Sequence, residues 1–518
     1  MAVPVDAVVV GAGHNGLVAA LLLARAGLSV RVLEAEAVVG GACRTEYPFP
    51  NAPQLGQSTG AYLLGLMPPE LMAKLGIALP LMRRDPHYFL PTTSERHLLF
   101  GSDRRATEAQ LRHFFSAQDV RADRALQEEL VMLRADIAPA WLRAPLSIEE
   151  TAERYVRVSL RETFVALCRG SVGDYLARFG FQSELLEAMY AVTDGFTGLH
   201  GCWDSAGSGM NFLTHNMCRL PGSDGTWMVV HGGMGTVTRK LAESAESAGV
   251  EIALRSPVTA FEIERGTVVG AVTSDGELHR SHTTLVNGDP FRMLSLLGDG
   301  APDALRARIE GPRHPGTSIK VNLCLSDLPT FSCLPADRGQ HRATIHLLPE
   351  HDTRAALTAA FAECEAGRLP KEPSIEWYIH TTLDPSLQDG HGRHSAALFC
   401  QWVPYELSES SWDAEEDRFV RHLLAICDRY APGTSALVED VFTLTPPKIE
   451  AHFGITAGHI HHVDNRFGFA DRLPYHLGIE GLYACGAGCH PAGSVIGAAG
   501  HNAAMQVLDD LAVSARDG

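Results

Sequence analysis

Positive charge is scarce: 43 Lys and Arg against 61 Asp and Glu leave a formal net charge of −18 over 518 residues. That sign argues against a nucleic-acid-binding surface, and a local basic spot such as Arg83-Arg84 is too short to reverse it. Cysteine is also sparse, with 11 residues and therefore an odd one. This is far below the density of a disulfide scaffold and points to buried thiols in a reducing compartment. Long apolar runs are missing. The stretch 17–24 is broken by Arg25 and is too short to span a bilayer. A basic leader with a cleavage site is also missing, so no signal peptide is expected. The expectation is a cytoplasmic protein, with peripheral membrane contact left open. No internal repeat or low-complexity tract is found. Hydrophobic and charged fractions of 45% and 20% are ordinary globular values, and the length suits two or three folded units.

Glycine is plentiful, with 49 residues, and it clusters. Val8-Val9-Val10 opens into Gly11-Ala12-Gly13-His14-Asn15-Gly16. An apolar helix-forming stretch follows over 17–26, then a helix stop at Gly27. A second strand with Val30, Val32 and Leu33 ends at Glu34. Each part has a physical task in dinucleotide binding. Gly11 permits the tight turn, Gly13 lets backbone approach a pyrophosphate, and Gly16 lets the helix pack close to the sheet. The helix N-terminus offers free N–H groups and a positive dipole end. The Glu34 carboxylate is placed to accept from ribose hydroxyls. His14 and Asn15 are expected near the phosphates. The competing reading is a glycine-rich turn in some other α/β unit.

A second glycine pair, Gly40-Gly41, follows the acid. Flavoproteins of the glutathione-reductase-like class carry a similar extension, where it packs beside the FAD pyrophosphate. Arg44 is either a phosphate partner there or a surface ion-pair member. Near the other end of the chain, residues 482–485 read as a short strand. It opens into Gly486-Ala487-Gly488-Cys489-His490-Pro491, and a small-residue helix is predicted from about Val495. Free N–H groups near Val495 and Ile496 are candidates to stabilise negative charge on a reduced isoalloxazine.

Together these patches resemble the FAD-dependent phytoene-desaturase-like and amine-oxidase superfamily. Within it, the match is to the branch known as pyridine nucleotide-disulphide oxidoreductase domain-containing protein 2, a relative of bacterial carotenoid desaturases. The residues that carry it are GAGHNGLVAA at 11–20, VGGACRTE at 39–46, Tyr62-Leu63-Leu64, HGGMG at 231–235, QWVPY at 401–405, LTPPKIEAHFG at 444–454 and GLYACGAGCHPAGSVIGAAGHNAA at 481–504. The departures, at Ala492, Ser494 and 459–475, fall where the resemblance places flavin and substrate. The resemblance implies FAD as cofactor, backbone at Val258 against the adenine, and the glycine loop at Gly486, Ala487 and Gly488 beside the flavin.

The fold class expected is α/β. It comprises a glutathione-reductase-like, Rossmann-type FAD-binding domain from segments 1–80, 220–295 and 445–518. An inserted α+β substrate domain, 81–219 and 296–444, supplies a helical cap and a mixed sheet. Residues 85–215 read as largely helical, with capping-box spacing at Thr107/Gln110, Ser147/Glu150 and Ser171/Asp174. Period-two runs at Ile319-Val321-Leu323-Leu325, Ile375-Trp377-Ile379 and Leu398-Cys400-Trp402 read as strands. Residues 413–431 read as an amphipathic helix.

The chemistry implied is hydride transfer from a substrate carbon to flavin, leaving C=C or C=N, in a dry apolar slot between the domains. The substrate expected is an apolar small molecule, isoprenoid-like in the first reading. The alternatives are C–N oxidation and a non-catalytic flavin-binding protein. With no second complete GxGxxG unit, electrons are expected to leave to oxygen, a quinone or another carrier. His490 is the local candidate for a catalytic contact, or else stabilises its own loop. Cys485 and Cys489 flank the glycine loop, so a redox disulfide is conceivable, as is covalent flavin attachment at Cys489 or His490. No metal is expected, since neither His391/His394 nor His459/His461/His462 has a spaced carboxylate or cysteine to complete a set.

Overall fold

The computed structural model describes residues 4–517. Two seven-stranded sheets organise it. In the first, Glu251–Ala253, Val30–Leu33, Val5–Val10, Leu278–Val286 and Leu482–Ala484 run parallel. Thr267–Thr273 and Val258–Glu264 extend it as an antiparallel wing. Its central strand Val5–Val10 is a largely apolar run buried against both faces, as a central parallel strand requires. Helices His14–Arg25, Gly235–Ser247 and Ala498–Asp517 cover it.

The second sheet runs Val438–Leu444, Ser318–Leu325, His394–Gln401, Ile375–Ile379, Thr344–Leu347, Tyr88–Pro91, His97–Phe100, antiparallel but for the Thr344–Leu347/Tyr88–Pro91 pair. One face packs Ile319, Val321, Trp377 and Leu398 against helix Trp412–Tyr430 through Phe419, Leu423 and Cys427. A set of helices between Arg104 and His215 forms a separate apolar core. Among the described residues no helix is long and apolar enough to cross a membrane.

Four local expectations change. The stretch 85–215 is not wholly helical, because Tyr88–Pro91 and His97–Phe100 form the edge of the second sheet. Strand Tyr88–Pro91 finds a parallel partner some 250 residues away, which local periodicity cannot reveal. Thr107 is not a cap. Asp103 accepts from the amides of Arg105 and Ala106 instead, and Gln110 clips the backbone of Leu99 from both sides. The Ser147/Glu150 capping box and the Ser171 cap are present. The last helix starts at Ala498 rather than Val495, after Gly497 at φ +78°. Finally, helices Pro290–Leu297 and Asp303–Glu310 bury Leu294, Leu297, Leu305 and Ile309 in the first core, so that core continues past residue 295.

Candidate flavin cleft and substrate chamber

Strand register builds the cleft. Val10 pairs with Leu33 on one side and Val286 on the other, and Val286 pairs with Ala484. The next residues, Gly11, Glu34, Asn287 and Cys485, therefore leave the sheet side by side at its carboxyl edge, where open α/β sheets bind ligands. Gly13 caps helix His14–Arg25 with no side-chain hydrogen bond, which leaves first-turn N–H groups for an anion. An added Cβ at Gly16 would overlap the Gly11 carbonyl and lie 2.8 Å from Asn287 Nδ2. Asn287 Nδ2 donates to that carbonyl at 3.1 Å and so holds the turn from below. Glu34 accepts from the amides of Ala12 (2.6 Å) and Glu36 (2.9 Å). The Gly40-Gly41 loop is strapped on by Gly40 N–H to Ala12 C=O at 3.0 Å.

Gly11, Gly13, His14, Asn15, Glu34, Gly40, Gly41, Arg44 and Val258 all line one cavity of about 1150 Å3. Arg44 is neither exposed nor unpartnered. Its Nε stands 3.2 Å from Glu46 Oε1, Nη2 donates to His452 C=O at 3.1 Å, and the guanidinium lies over Phe453. His14 Nε2, Asn15 Oδ1 and His462 Nδ1 are buried without protein partners, and all three residues face the cavity. Burial pushes the His14 imidazolium down to about 4, so it meets a ligand uncharged. Uncapped amides and orphaned buried atoms in a glycine cradle fit a dinucleotide.

The far-end loop meets the same cavity through Ala487, Ser494 and Val495. Gly486, Gly488 and Ile496 do not line it. An added Cβ on Gly486 would lie 2.7 Å from Gly288 O, and one on Gly488 2.6 Å from Pro290 Cγ. Ile496 sits in the helical core. His490 is also absent from the wall. Its Nε2 contacts Ala140 C=O at 3.2 Å, its ring lies 5.4 Å from Phe469, and burial pushes it down to about 4. The candidate catalytic contact at His490 is thus corrected to a packing contact between the loop and the helical core. Arg472, which no motif marks, staples this region. It donates to Ala487 C=O (2.7 Å), Cys489 C=O (3.0 Å), Phe467 C=O (3.0 Å) and Asn465 Oδ1 (3.2 Å). Cys485 and Cys489 are buried free thiols.

Beyond the cleft the same cavity continues along the second sheet. The strand faces opposite Ile319, Trp377 and Leu398 carry Lys320, Glu376, Tyr378 and Phe399, all in the cavity wall. The expected apolar slot is instead a chamber with buried ionisable groups. Lys320 Nζ donates to Ser58 C=O (2.5 Å) and Gly60 C=O (2.8 Å) and lies 4.6 Å from the Tyr62 ring centroid. Burial holds its ammonium form far below the usual lysine range. Tyr62 and Tyr378 pair with ring centroids 4.3 Å apart. Tyr378 donates to Glu376, and the Tyr62 hydroxyl stands 3.5 Å from the same carboxylate. Burial pushes Glu376 up to about 7, and Asp194, in the π-helical turn Ala191–Phe196, likewise to about 7. Tyr88, Met189, Trp227 and Leu63 supply apolar wall.

Comparison with known proteins agrees with this geometry. The family model for flavin-containing amine oxidoreductases matches residues 16–324. The chain belongs to that family. A mouse protein named pyridine nucleotide-disulfide oxidoreductase domain-containing protein 2 is 34% identical, the match covering 98% of this chain and 94% of that one. The hydroxyneurosporene desaturase of Cereibacter sphaeroides is 24% identical, with 98% of both covered. A putrescine oxidase solved with putrescine bound superposes with a TM-score of 0.62 at 16% identity, covering 99% of each chain, a likeness of fold. This flavin-containing amine oxidoreductase is therefore an FAD-dependent oxidoreductase.

In it, the residues that sequence reasoning missed are Arg84, Asp194, Asn287, Lys320, Glu376, Tyr378 and Arg472. Lys320 and Glu376 carry a usable signal: each is a charge between apolar neighbours in a strand buried along its whole length.

Proposed function

We propose that this oxidoreductase withdraws a hydride from one substrate carbon and leaves a C=C or C=N bond, in a molecule with an apolar body and one polar group. The observation that carries the reading is continuity. A single cavity joins the glycine turn at Gly11 and Gly13 to the Tyr62, Glu376 and Tyr378 wall, so a bound dinucleotide and a substrate share one continuous space. FAD, when bound, supplies the hydride acceptor. The chain's residues do the rest. Tyr62, Tyr378 and Phe399 offer ring faces to orient an apolar body. Glu376, poised near 7, suits uptake of the proton lost beside the oxidised carbon. Trp227, Leu63 and Met189 exclude water. Electrons then pass to oxygen, a quinone or a carrier protein.

Carbon–carbon desaturation draws support from the desaturase relative. Carbon–nitrogen oxidation draws support from the paired rings of Tyr62 and Tyr378 beside a buried lysine whose ammonium form burial disfavours. Anaerobic titration of FAD-loaded protein separates them by bleaching of the flavin band near ~450 nm. Bleaching by unsaturated precursors supports the first, and bleaching by amines, with peroxide formed in air, supports the second. Bound FAD that neither class bleaches refutes both.

A further inference from the structure

The second residue of the Arg83-Arg84 pair is buried, with 5% of its surface exposed, and stands in the chamber wall. Its position is fixed from two sides: Nε donates to Trp227 C=O at 3.0 Å, and Nη1 to Thr344 Oγ1 at 2.6 Å. Among the described residues Nη2 donates to nothing, and no carboxylate lies within 4.0 Å of the guanidinium. Both anchors are neutral, and Glu376, which acts on Arg84 through space, makes no ion pair with it. A buried guanidinium without a counter-charge is costly, by several kcal/mol in ordinary cases. Tyr62, Glu376 and Tyr378 share the same wall.

We propose that Arg84 is the anchor for a substrate carboxylate, received by its free Nη2, so that the polar group of the substrate is a carboxylic acid. This rests on the dehydrogenase reading above and names its substrate class. A planar guanidinium with two N–H bonds to spare matches a carboxylate in shape and charge.

The surrounding charges agree. Arg83, Arg84, Arg104 and Arg134 line the chamber, together with Asp123, Asp194, Asp224 and Glu376. Burial raises three of those acids toward the neutral form, Asp194 and Glu376 to about 7. Arg84 is lowered only to about 10 by burial and stays charged. In a chain of net charge −18, the chamber therefore favours an anion. A cation held rigidly in the chamber wall fixes where the carboxylate of a substrate lies.

The test uses FAD-loaded protein and four probes: octanoate, 4-phenylbutyrate and the primary amide of each. Binding is read by calorimetry and by the shift of the flavin absorption band, with no turnover needed. Each acid is expected to bind roughly 10- to 150-fold more tightly than its amide, the range for one hydrogen bond to a charged group. Arg84→Met is expected to bring the acid down to the amide and leave FAD content unchanged. Arg84→Lys, which keeps the cation, reports whether loss of binding follows charge or a lost fold, and near-ultraviolet circular dichroism checks both variants. Acids and amides binding alike to the unaltered protein overturn the proposal, as does Arg84→Met holding the acids at full affinity. So does inorganic phosphate competing as well as the acids. If acids bind through Arg84 but no acid bleaches the flavin, the anchor stands and the dehydrogenase reading fails. If substrates bleach the flavin with no preference for acid over amide, the anchor fails and the dehydrogenase reading stands.

Discussion

Gly500 lies in the last helix, Ala498–Asp517, where it meets the start of the phosphate-binding helix His14–Arg25. A Cβ placed there would overlap the Asn15 carbonyl oxygen and stand 2.8 Å from its carbon, where ordinary contact begins at 3.4 Å. Gly500→Ala must therefore part the two helices by more than about 0.6 Å, since the oxygen lies nearer the added Cβ than its carbon does. Overpacking of this kind costs about 1–3 kcal/mol. Asn15 faces the cavity, so the displaced element is the helix start whose first-turn amides are left free for an anion. If the whole cost falls on the bound state, FAD affinity drops roughly 5- to 150-fold. Fluorescence titration of the flavin-free protein with FAD measures this directly. Gly276→Ala is the control. It sits in the hairpin turn at φ +82° with nothing within 4 Å of an added Cβ, so it strains the backbone by about 1–2 kcal/mol and leaves FAD affinity alone. A folded Gly500→Ala protein that binds FAD within twofold of the unaltered chain refutes the reasoning, as does a Gly276→Ala protein that loses FAD to the same degree.

Arg472→Met removes the donor of six hydrogen bonds, to oxygens of Val463, Asp464, Asn465, Phe467, Ala487 and Cys489. With each unsatisfied acceptor costing about 1–3 kcal/mol, we expect a loss of roughly 3 kcal/mol or more in urea denaturation, together with lost FAD; unchanged stability would contradict the stapling role. Glu376, raised by burial from 4.5 to about 7, stabilises the fold fully below its ordinary range, and that contribution is lost as pH rises toward 7. The stability difference between Glu376→Gln and the unaltered flavin-free chain should then grow by on the order of 3 kcal/mol in favour of the glutamine between pH 4.5 and 8, and a pH-independent difference would refute the raised carboxyl. Of the eleven cysteines ten are buried and only Cys333 is half-buried, and burial pushes Cys489 up to about 12. Trace iodoacetamide followed by peptide mass spectrometry should find the first adduct at Cys333, while early labelling of Cys489 would contradict the packed loop.

Much of the cleft was readable because dinucleotide binding is written locally. Gly11, Gly13, Gly16 and Glu34 lie within one strand–turn–helix–strand unit, where neighbours in sequence are neighbours in space. The substrate chamber was not readable in that way. Its wall is the polar side of strands whose apolar side alone was assigned to the core, and alternation cannot say whether a polar face meets water or an enclosed ligand. Glu376 and Lys320 belong to strands buried on both faces, which only sheet packing establishes. His490 misled for the opposite reason: a histidine in a flavin-side loop is close to the site in sequence, but its ring turns toward Ala140.

By itself the chain order determined that a glycine turn with free amides and an acid would form near residue 11, since those demands are met by backbone within a few residues. Tertiary structure alone decided that Arg84, Glu376, Tyr378 and Lys320 share one chamber with that turn. The loop that carries Arg84, the strand of Lys320 and the strand shared by Glu376 and Tyr378 come from separated segments, and they meet only after each apolar strand face has been buried against its core, leaving the polar faces toward the space between.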